Sequence, residues 1–167
     1  MNEIDYKKEY ELLHSKGYYR GYSVLRHKGK VRNIVNATKS STILDYGSGK
    51  GLQYSKFKMD KFWNVSVDCY DPYVEKFSIL PDKTYDGVIC TDVLEHIPED
   101  KLNETLSVIF SKATKFVFFC IHIEEATKKF SDGRNVHVTV KPTEFWTDLI
   151  NLHNKNNLKV KLVFRTK

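Results

Sequence analysis

Proline is scarce in these 167 residues, four in all, and no Pro/Gly-rich linker, repeat or low-complexity tract divides the chain. Without a divider, a chain of ordinary single-domain length reads as one domain spanning residues 1–167. Cysteine is scarcer: Cys69, Cys90 and Cys120 are widely spaced, lie in or beside apolar runs, and form no Cys-x-x-Cys pair. That excludes a disulfide framework or a zinc knuckle and points to buried, reduced thiols. No apolar run approaches the ~20 residues needed to cross a bilayer, so no membrane partner is expected. Met1 to Tyr10 is polar and mixed in charge, without the apolar stretch of a secretory signal, and a cytoplasmic location is the expectation. Arginine-rich stripes and interleaved basic–aromatic runs are missing as well. The net charge of +6 comes from scattered lysines, so a nucleic-acid partner is possible on charge but not favoured.

What is present suits a globular domain with its own core. Apolar residues make up 41 % and charged residues 29 % of the chain, and a domain of this length buries roughly 70 % of the surface its unfolded chain exposes. Tyr6 to Leu13 predicts a short helix. Tyr18, Tyr19 and Tyr22, with Gly17 and Gly21 between them, form a flexible aromatic stretch. Val24, Leu25, Val31, Ile34 and Val35 are spaced for one buried helical face. Residues 1–40 therefore read as a helical cap or lid, and residues 41–167 as the core.

From residue 42 strands and helices alternate. Strands are predicted at Thr42 to Tyr46, Asn64 to Tyr70, Asp86 to Cys90, Lys115 to Ile123 and Leu158 to Arg165, the last in the place of a sixth strand. Helices are predicted at Pro98 to Ala113 and Pro142 to Asn154, the second built on Phe145, Trp146, Leu149 and Ile150 as core. The alternation implies an α/β, Rossmann-like, doubly wound and mostly parallel sheet of about six strands, with its ligand beyond the carboxyl ends at the switch point.

The strand ends carry the chemistry. The first runs into Asp45-Tyr46-Gly47-Ser48-Gly49-Lys50-Gly51, where alternate glycines allow a tight turn and a ligand lying on the backbone. The helix after it is expected to offer unpaired N–H groups to an anionic group. The second strand ends at Asp71, 22 residues after Gly49, a spacing at which an acidic residue accepts hydrogen bonds from ribose hydroxyls. Asp68 is the rival, but strand alternation and the following Pro72-Tyr73 favour Asp71. The third strand, Tyr85-Asp86-Gly87-Val88-Ile89, flows into Thr91-Asp92-Val93-Leu94-Glu95-His96-Ile97-Pro98.

These three motifs, in this order over about residues 41 to 123, resemble the class I S-adenosylmethionine (SAM)-dependent methyltransferases. The resemblance implies that Asp45, Gly47, Gly49 and Gly51 shape the pocket for the methionine part of SAM. It implies that Asp71 binds the ribose, that Pro72 or Tyr73 flanks the adenine, and that Thr91, Asp92 and Val93 line the pocket near the sulfonium. S-adenosylhomocysteine would be the product. One departure stands out: only 15 residues separate Asp71 from Asp86, too few for a full helix and strand. The family's third-strand contact to the adenine amino group is therefore missing or replaced, with Leu80-Pro81-Asp82 as the nearest candidate.

For the transfer itself, His96, His137 and Asp92 are the candidate catalytic groups, since a hydroxyl acceptor needs a base. His122 is a further histidine at a strand end. No metal ligand is assigned in this reading. A second arrangement places Asp92, Glu95 and His96 on successive turns of a helix, with His137 completing an oxygen/nitrogen set suited to Mg²⁺ or Mn²⁺. It loosely resembles the metal-dependent small-RNA 2′-O-methyltransferases, although the block here begins with Asp instead of Glu. The expected activity is methyl transfer to a small-molecule acceptor at O or N. The alternatives are an RNA or other nucleic-acid methyltransferase and a SAM-binding module without turnover. Against the nucleic-acid reading, Thr91-Asp92-Val93-Leu94 lacks the paired prolines of amino-methylating DNA enzymes, and no Pro-Cys nucleophile is present. Tyr18, Tyr19 and Tyr22 are candidates for a lid over the cofactor, because aromatic faces attract a sulfonium.

Overall fold

A computed structural model describes residues 4–166 of the chain; residues 1–3 and 167, part of the expected 1–167 unit and of the Met1 to Tyr10 stretch, lie outside the described residues. Its centre is a sheet of five strands: β1 (Thr42–Tyr46), β2 (Ser66–Tyr70), β3 (Tyr85–Thr91), β4 (Ala113–His122) and β5 (Lys159–Arg165). All neighbours are parallel, in the order β2-β1-β3-β4-β5. The chain moves from β1 outward to β2, then returns past β1 to β3. The winding direction therefore reverses between β1 and β3, as in a doubly wound sheet.

β4 shows why the sheet is covered on both faces. Phe116, Val117, Phe118, Phe119, Cys120 and Ile121 are each at most 1 % exposed. Successive side chains in a strand point to opposite faces, and the contacts follow that rule. Phe116, Phe118 and Cys120 pack with Val31, Ile34 and Val35 of α2 (Lys28–Thr38) and with Met59 and Trp63 of α4 (Met59–Trp63). Val117, Phe119 and Ile121 pack with Leu102, Leu106 and Ile109 of α5 (Glu99–Lys112) and with Trp146 and Ile150 of α6 (Thr143–His153). Trp146 is fully buried and belongs to the core, as its spacing predicts.

The five strands named from the sequence are the five observed, with shifted edges. The expected sixth has no counterpart among the described residues, because residues 71–84 hold only a short 3-10 turn, Glu75–Phe77. β2 begins two residues late because Asn64, in the left-handed region at φ 55°, closes the short helix α4. β4 begins two residues early: Ala113 is already extended as it leaves α5, so no loop intervenes. The helix expected from Val24 splits into a 3-10 turn, Ser23–His27, and α2. α1 (Tyr6–Ser15) begins with Asp5 accepting from the Lys8 N–H at 3.1 Å. It lies over the carboxyl edge of the sheet, where Tyr10 and Leu13 pack with Phe130 and Val136.

A glycine pair tests this packing. A Cβ on Gly87 of β3 would strike the buried Phe116 ring, whereas Gly29 in α2 has nothing within 4 Å of that position. Gly87→Ala is expected to destabilise by about 1–3 kcal/mol through overpacking. Gly29→Ala is expected to stabilise by about 0.5 kcal/mol through lower unfolded-state entropy. Urea midpoints with unchanged slopes report both, and coincident midpoints would contradict the described packing around Phe116.

Candidate functional site

The ends of β1 and β3 border the reversal point, and a cavity of about 790 Å³ opens there. That volume falls within the range of small-molecule and cofactor sites. After Tyr46 the chain turns over the end of β2: the N–H groups of Gly47 and Ser48 both donate to the Tyr70 carbonyl, at 2.8 and 3.0 Å. The Gly49 N–H then donates to Asp71 Oδ2 at 2.9 Å, and the Tyr73 N–H donates to Asp71 Oδ1 at 3.0 Å. The glycine turn and the β2-tip carboxylate are thus in direct contact at the cavity wall. Asp71 is buried, and burial raises its pKa against the opposing pull of the Tyr73 N–H, His14 and the Gly49 N–H.

Gly47, Gly49, Asp71, Pro72 and Tyr73 line this cavity, as do Thr91, Asp92 and Val93 from the end of β3. Asp45 and Gly51 do not. Asp45 is 1 % exposed and lies beneath the turn, accepting hydrogen bonds from Gln53 Nε2 and, at 2.6 Å, from the Tyr54 hydroxyl. Burial pushes its carboxyl up to about 7, the two hydrogen bonds pull against that rise, and Asp71 adds to it. Asp45 therefore braces the turn from behind. Leu80-Pro81-Asp82 stays outside the cavity lining too, so the sequence's candidate for an adenine contact has no place here.

The helix after the turn also departs from expectation. α3 (Leu52–Ser55) is one turn long, and its first donors are already used. Leu52 N–H donates to the Arg20 carbonyl at 3.2 Å and Gln53 N–H to the Gly21 carbonyl at 2.9 Å, while Lys50 N–H donates to Tyr19 at 3.2 Å. The segment 19–21 thus takes the position in which an anion at this helix end was expected. The same approach explains the glycines: Gly49 has φ 55°, and a Cβ there would strike the Tyr19 carbonyl, while one on Gly47 would strike Val93. Part of the glycine pattern serves the protein's own N-terminal segment.

α1 supplies site residues the sequence did not single out, Tyr10 and His14. Tyr10 stacks on Tyr73 at 5.0 Å between ring centroids, and its hydroxyl donates to the His96 carbonyl at 2.9 Å. His14 Nε2 stands 3.9 Å from Asp71 Oδ1, and its carbonyl accepts from Lys50 Nζ at 2.9 Å. Tyr10, His14 and Tyr19 all line the cavity. Of the tyrosines named as a lid, Tyr19 alone reaches it. Tyr18 is exposed beside Lys128, and Tyr22 packs edge-on against Phe57. The helical period of α1 identifies a buried face but not that the face covers a strand edge.

A second cavity of about 440 Å³ adjoins the first, and Tyr19, Gly21, Ser23, Asp92 and His96 line both. Glu95 and His96 sit on a 3-10 turn, Leu94–His96, directly after β3. His96 Nδ1 contacts the Val136 carbonyl at 2.9 Å, and His137 Nδ1 contacts the Glu124 carbonyl at 2.5 Å. A carbonyl only accepts, so each Nδ1 carries the proton and each neutral ring keeps its lone pair on Nε2. Burial, followed by the neighbouring His137, pushes His96 down to about 3; burial also lowers His137. Asp92, at φ 55°, pairs with Arg165 at 2.5 Å and faces Cys120. Because the backbone is left-handed there, Asp92 does not share a helical face with Glu95 and His96, as the four-ligand arrangement required. The chain matches no family model, no curated protein and no solved structure.

The Asp45 carboxyl makes a testable pH dependence. Its folded pKa of about 7 exceeds the unfolded value of ~3.9. Between those values the folded chain binds more protons than the unfolded one. Asp45 therefore costs stability as pH rises through this window, at up to ~1.4 kcal/mol per pH unit. Buried His96 acts in the opposite sense between about 3 and ~6.5, so the comparison must be differential. Asp45→Asn is expected to gain stability relative to the parent as pH climbs from 4 to 7, and to run parallel above it. Urea titrations at each pH measure this, and parallel curves throughout would remove the buried-carboxyl account.

Proposed function

We propose that this chain is a SAM-dependent methyltransferase that modifies a small-molecule acceptor at oxygen or nitrogen. The observation carrying the proposal is the Gly49–Asp71 contact at the wall of a cofactor-sized cavity at the sheet's reversal point. The motif resemblance adds a SAM-specific reading of the same residues. When bound, SAM supplies a methyl group already activated by its sulfonium.

Each wall of the cavity has a task in this reading. Asp71 uses one lone pair on each oxygen for the Gly49 and Tyr73 N–H groups, and the remaining lone pairs accept ribose hydroxyls. Tyr73 and Pro72 flank the adenine, and Tyr10 stiffens Tyr73 by stacking on it. Gly47, Gly49 and the Thr91–Val93 segment hold the methionine end, with Asp45 and Gln53 fixing the turn beneath. Tyr19 closes the cavity with its ring, and its hydroxyl is buried without a hydrogen-bond partner. The second cavity holds the acceptor across the shared wall of Asp92 and His96. This juxtaposition supports a transferase over a module without turnover, since alignment of acceptor and donor is most of what methyl transfer needs. His96 and His137 are neutral, each with one lone pair, a state that allows either uptake of a proton or binding of a cation.

Isothermal calorimetry checks the cofactor assignment. SAM and S-adenosylhomocysteine are expected to bind with Kd in the micromolar range, about −8 kcal/mol. Asp71→Asn removes the charge of the ribose contact and leaves one oxygen for the two backbone N–H groups that Asp71 accepts, so folding is checked by circular dichroism, and affinity of the folded variant is expected to fall about 10- to 100-fold. Absence of binding by either ligand, or an unchanged Kd in the variant, would overturn the assignment.

A further inference from the structure

We infer that the face built by α2 and α4 is a docking surface for an anionic lipid bilayer, with lysine and arginine at the headgroups and Phe57 and Phe62 at the acyl boundary. The charge of the chain is unevenly divided. Residues 12–67 carry eleven of its 27 lysines and arginines but only two of its 21 acids, Asp45 and Asp60. Asp45 is buried beneath the glycine turn, and Asp60 has Oδ1 buried, which leaves the cations largely unopposed.

The fold gathers part of this excess around two aromatic side chains. Phe57 comes just before α4 and Phe62 lies within it; they are 40 % and 37 % exposed. Lys56, Lys58 and Lys61, interleaved with them, are exposed too. Arg32 and Lys28 of the neighbouring α2 lie over the Phe62 ring, 4.9 and 5.8 Å from its centroid, and Lys56 lies over Phe57 at 5.5 Å. A lone exposed apolar side chain is ordinary on a protein surface. Two of them set among five cations make a surface that is at once apolar and basic.

That pairing selects the occupant. An anionic bilayer presents negative headgroups above an apolar interior, and a cluster of about four to eight cations beside apolar side chains matches both layers. The long stems of lysine and arginine let their charges stay at headgroup level while the rings sit deeper. Single-stranded nucleic acid would need bare ring faces on which bases stack. Here a cation already lies over each ring, and neither cavity described above includes Phe57 or Phe62. No helix among the described residues is long and apolar enough to cross a membrane, so this attachment is peripheral. Tyr22 lines the second cavity and packs edge-on against Phe57 at 5.5 Å, so the surface extends to that cavity's rim. The inference does not rest on SAM binding.

The test is co-sedimentation of the full-length protein with phosphatidylcholine vesicles, with and without phosphatidylserine. Binding is expected to require phosphatidylserine and to weaken as salt is raised. Phe57→Ser/Phe62→Ser is expected to lower the partition coefficient about 10- to 100-fold, and Lys56→Gln/Lys61→Gln about 10- to 30-fold. The same charge loss on the opposite face, at the end of α5 and after α6, is supplied by Lys112→Gln/Lys155→Gln. It is expected to change the coefficient by less than about 3-fold. Circular dichroism checks the fold of each variant; if the phenylalanine pair fails to fold, the two lysine pairs decide. Absence of phosphatidylserine-dependent binding, or equal weakening by the lysine pairs on the two faces, would overturn the surface. Binding to polyuridylate without binding to vesicles would overturn it as well and assign the face to nucleic acid.

Discussion

The hydrogen bond from the Gly49 N–H to the Asp71 carboxylate joins the tips of the two strands on one side of the reversal point. The Gly47 and Ser48 N–H groups already tie the turn to the Tyr70 carbonyl, and this bond adds the side-chain anchor. With it, the turn becomes a rigid shelf to which three other parts of the chain attach. Residues 19–21 dock on the shelf through backbone hydrogen bonds, His14 approaches the carboxylate from α1, and the Tyr73 N–H shares the second oxygen. The carboxylate is nearly enclosed, which strengthens each of these contacts and raises the cost of leaving any unmade.

Much of the fold was legible because its signals are periodic and local. The uninterrupted apolar run in β4 announces a central parallel strand, and the spacing of Leu102, Leu106 and Ile109 announces the buried face of α5. The glycine turn, Asp71 and Thr91–Val93 were legible for a related reason: a parallel sheet brings successive strand ends to one edge whatever the loops do. Eight of the ten residues expected at the cofactor pocket line one cavity. Asp45 falls short because its carboxyl is buried beneath the turn, held by Gln53 and Tyr54.

What was not legible depends on non-local contact. No periodicity says that α1 bends back over the strand ends, so Tyr10 and His14 carry no site signal of their own. The donors of α3 look free in sequence and are capped only because a segment 30 residues earlier arrives there. The placement of Asp92 turns on a single left-handed backbone conformation, which redirects its carboxylate to Arg165 and separates it from Glu95 and His96.

β4 has a bearing on how the chain must assemble. Phe116 to Ile121 contains no charge, proline or glycine, and it is protected only once helices from both ends of the sequence have settled on it. In a half-formed chain this hexapeptide would be bare on two sides and suited to cross-β stacking with copies of itself. The safe order of events therefore starts with α5, which runs into β4 without a break and can screen one side within a single hairpin-sized stretch of polypeptide.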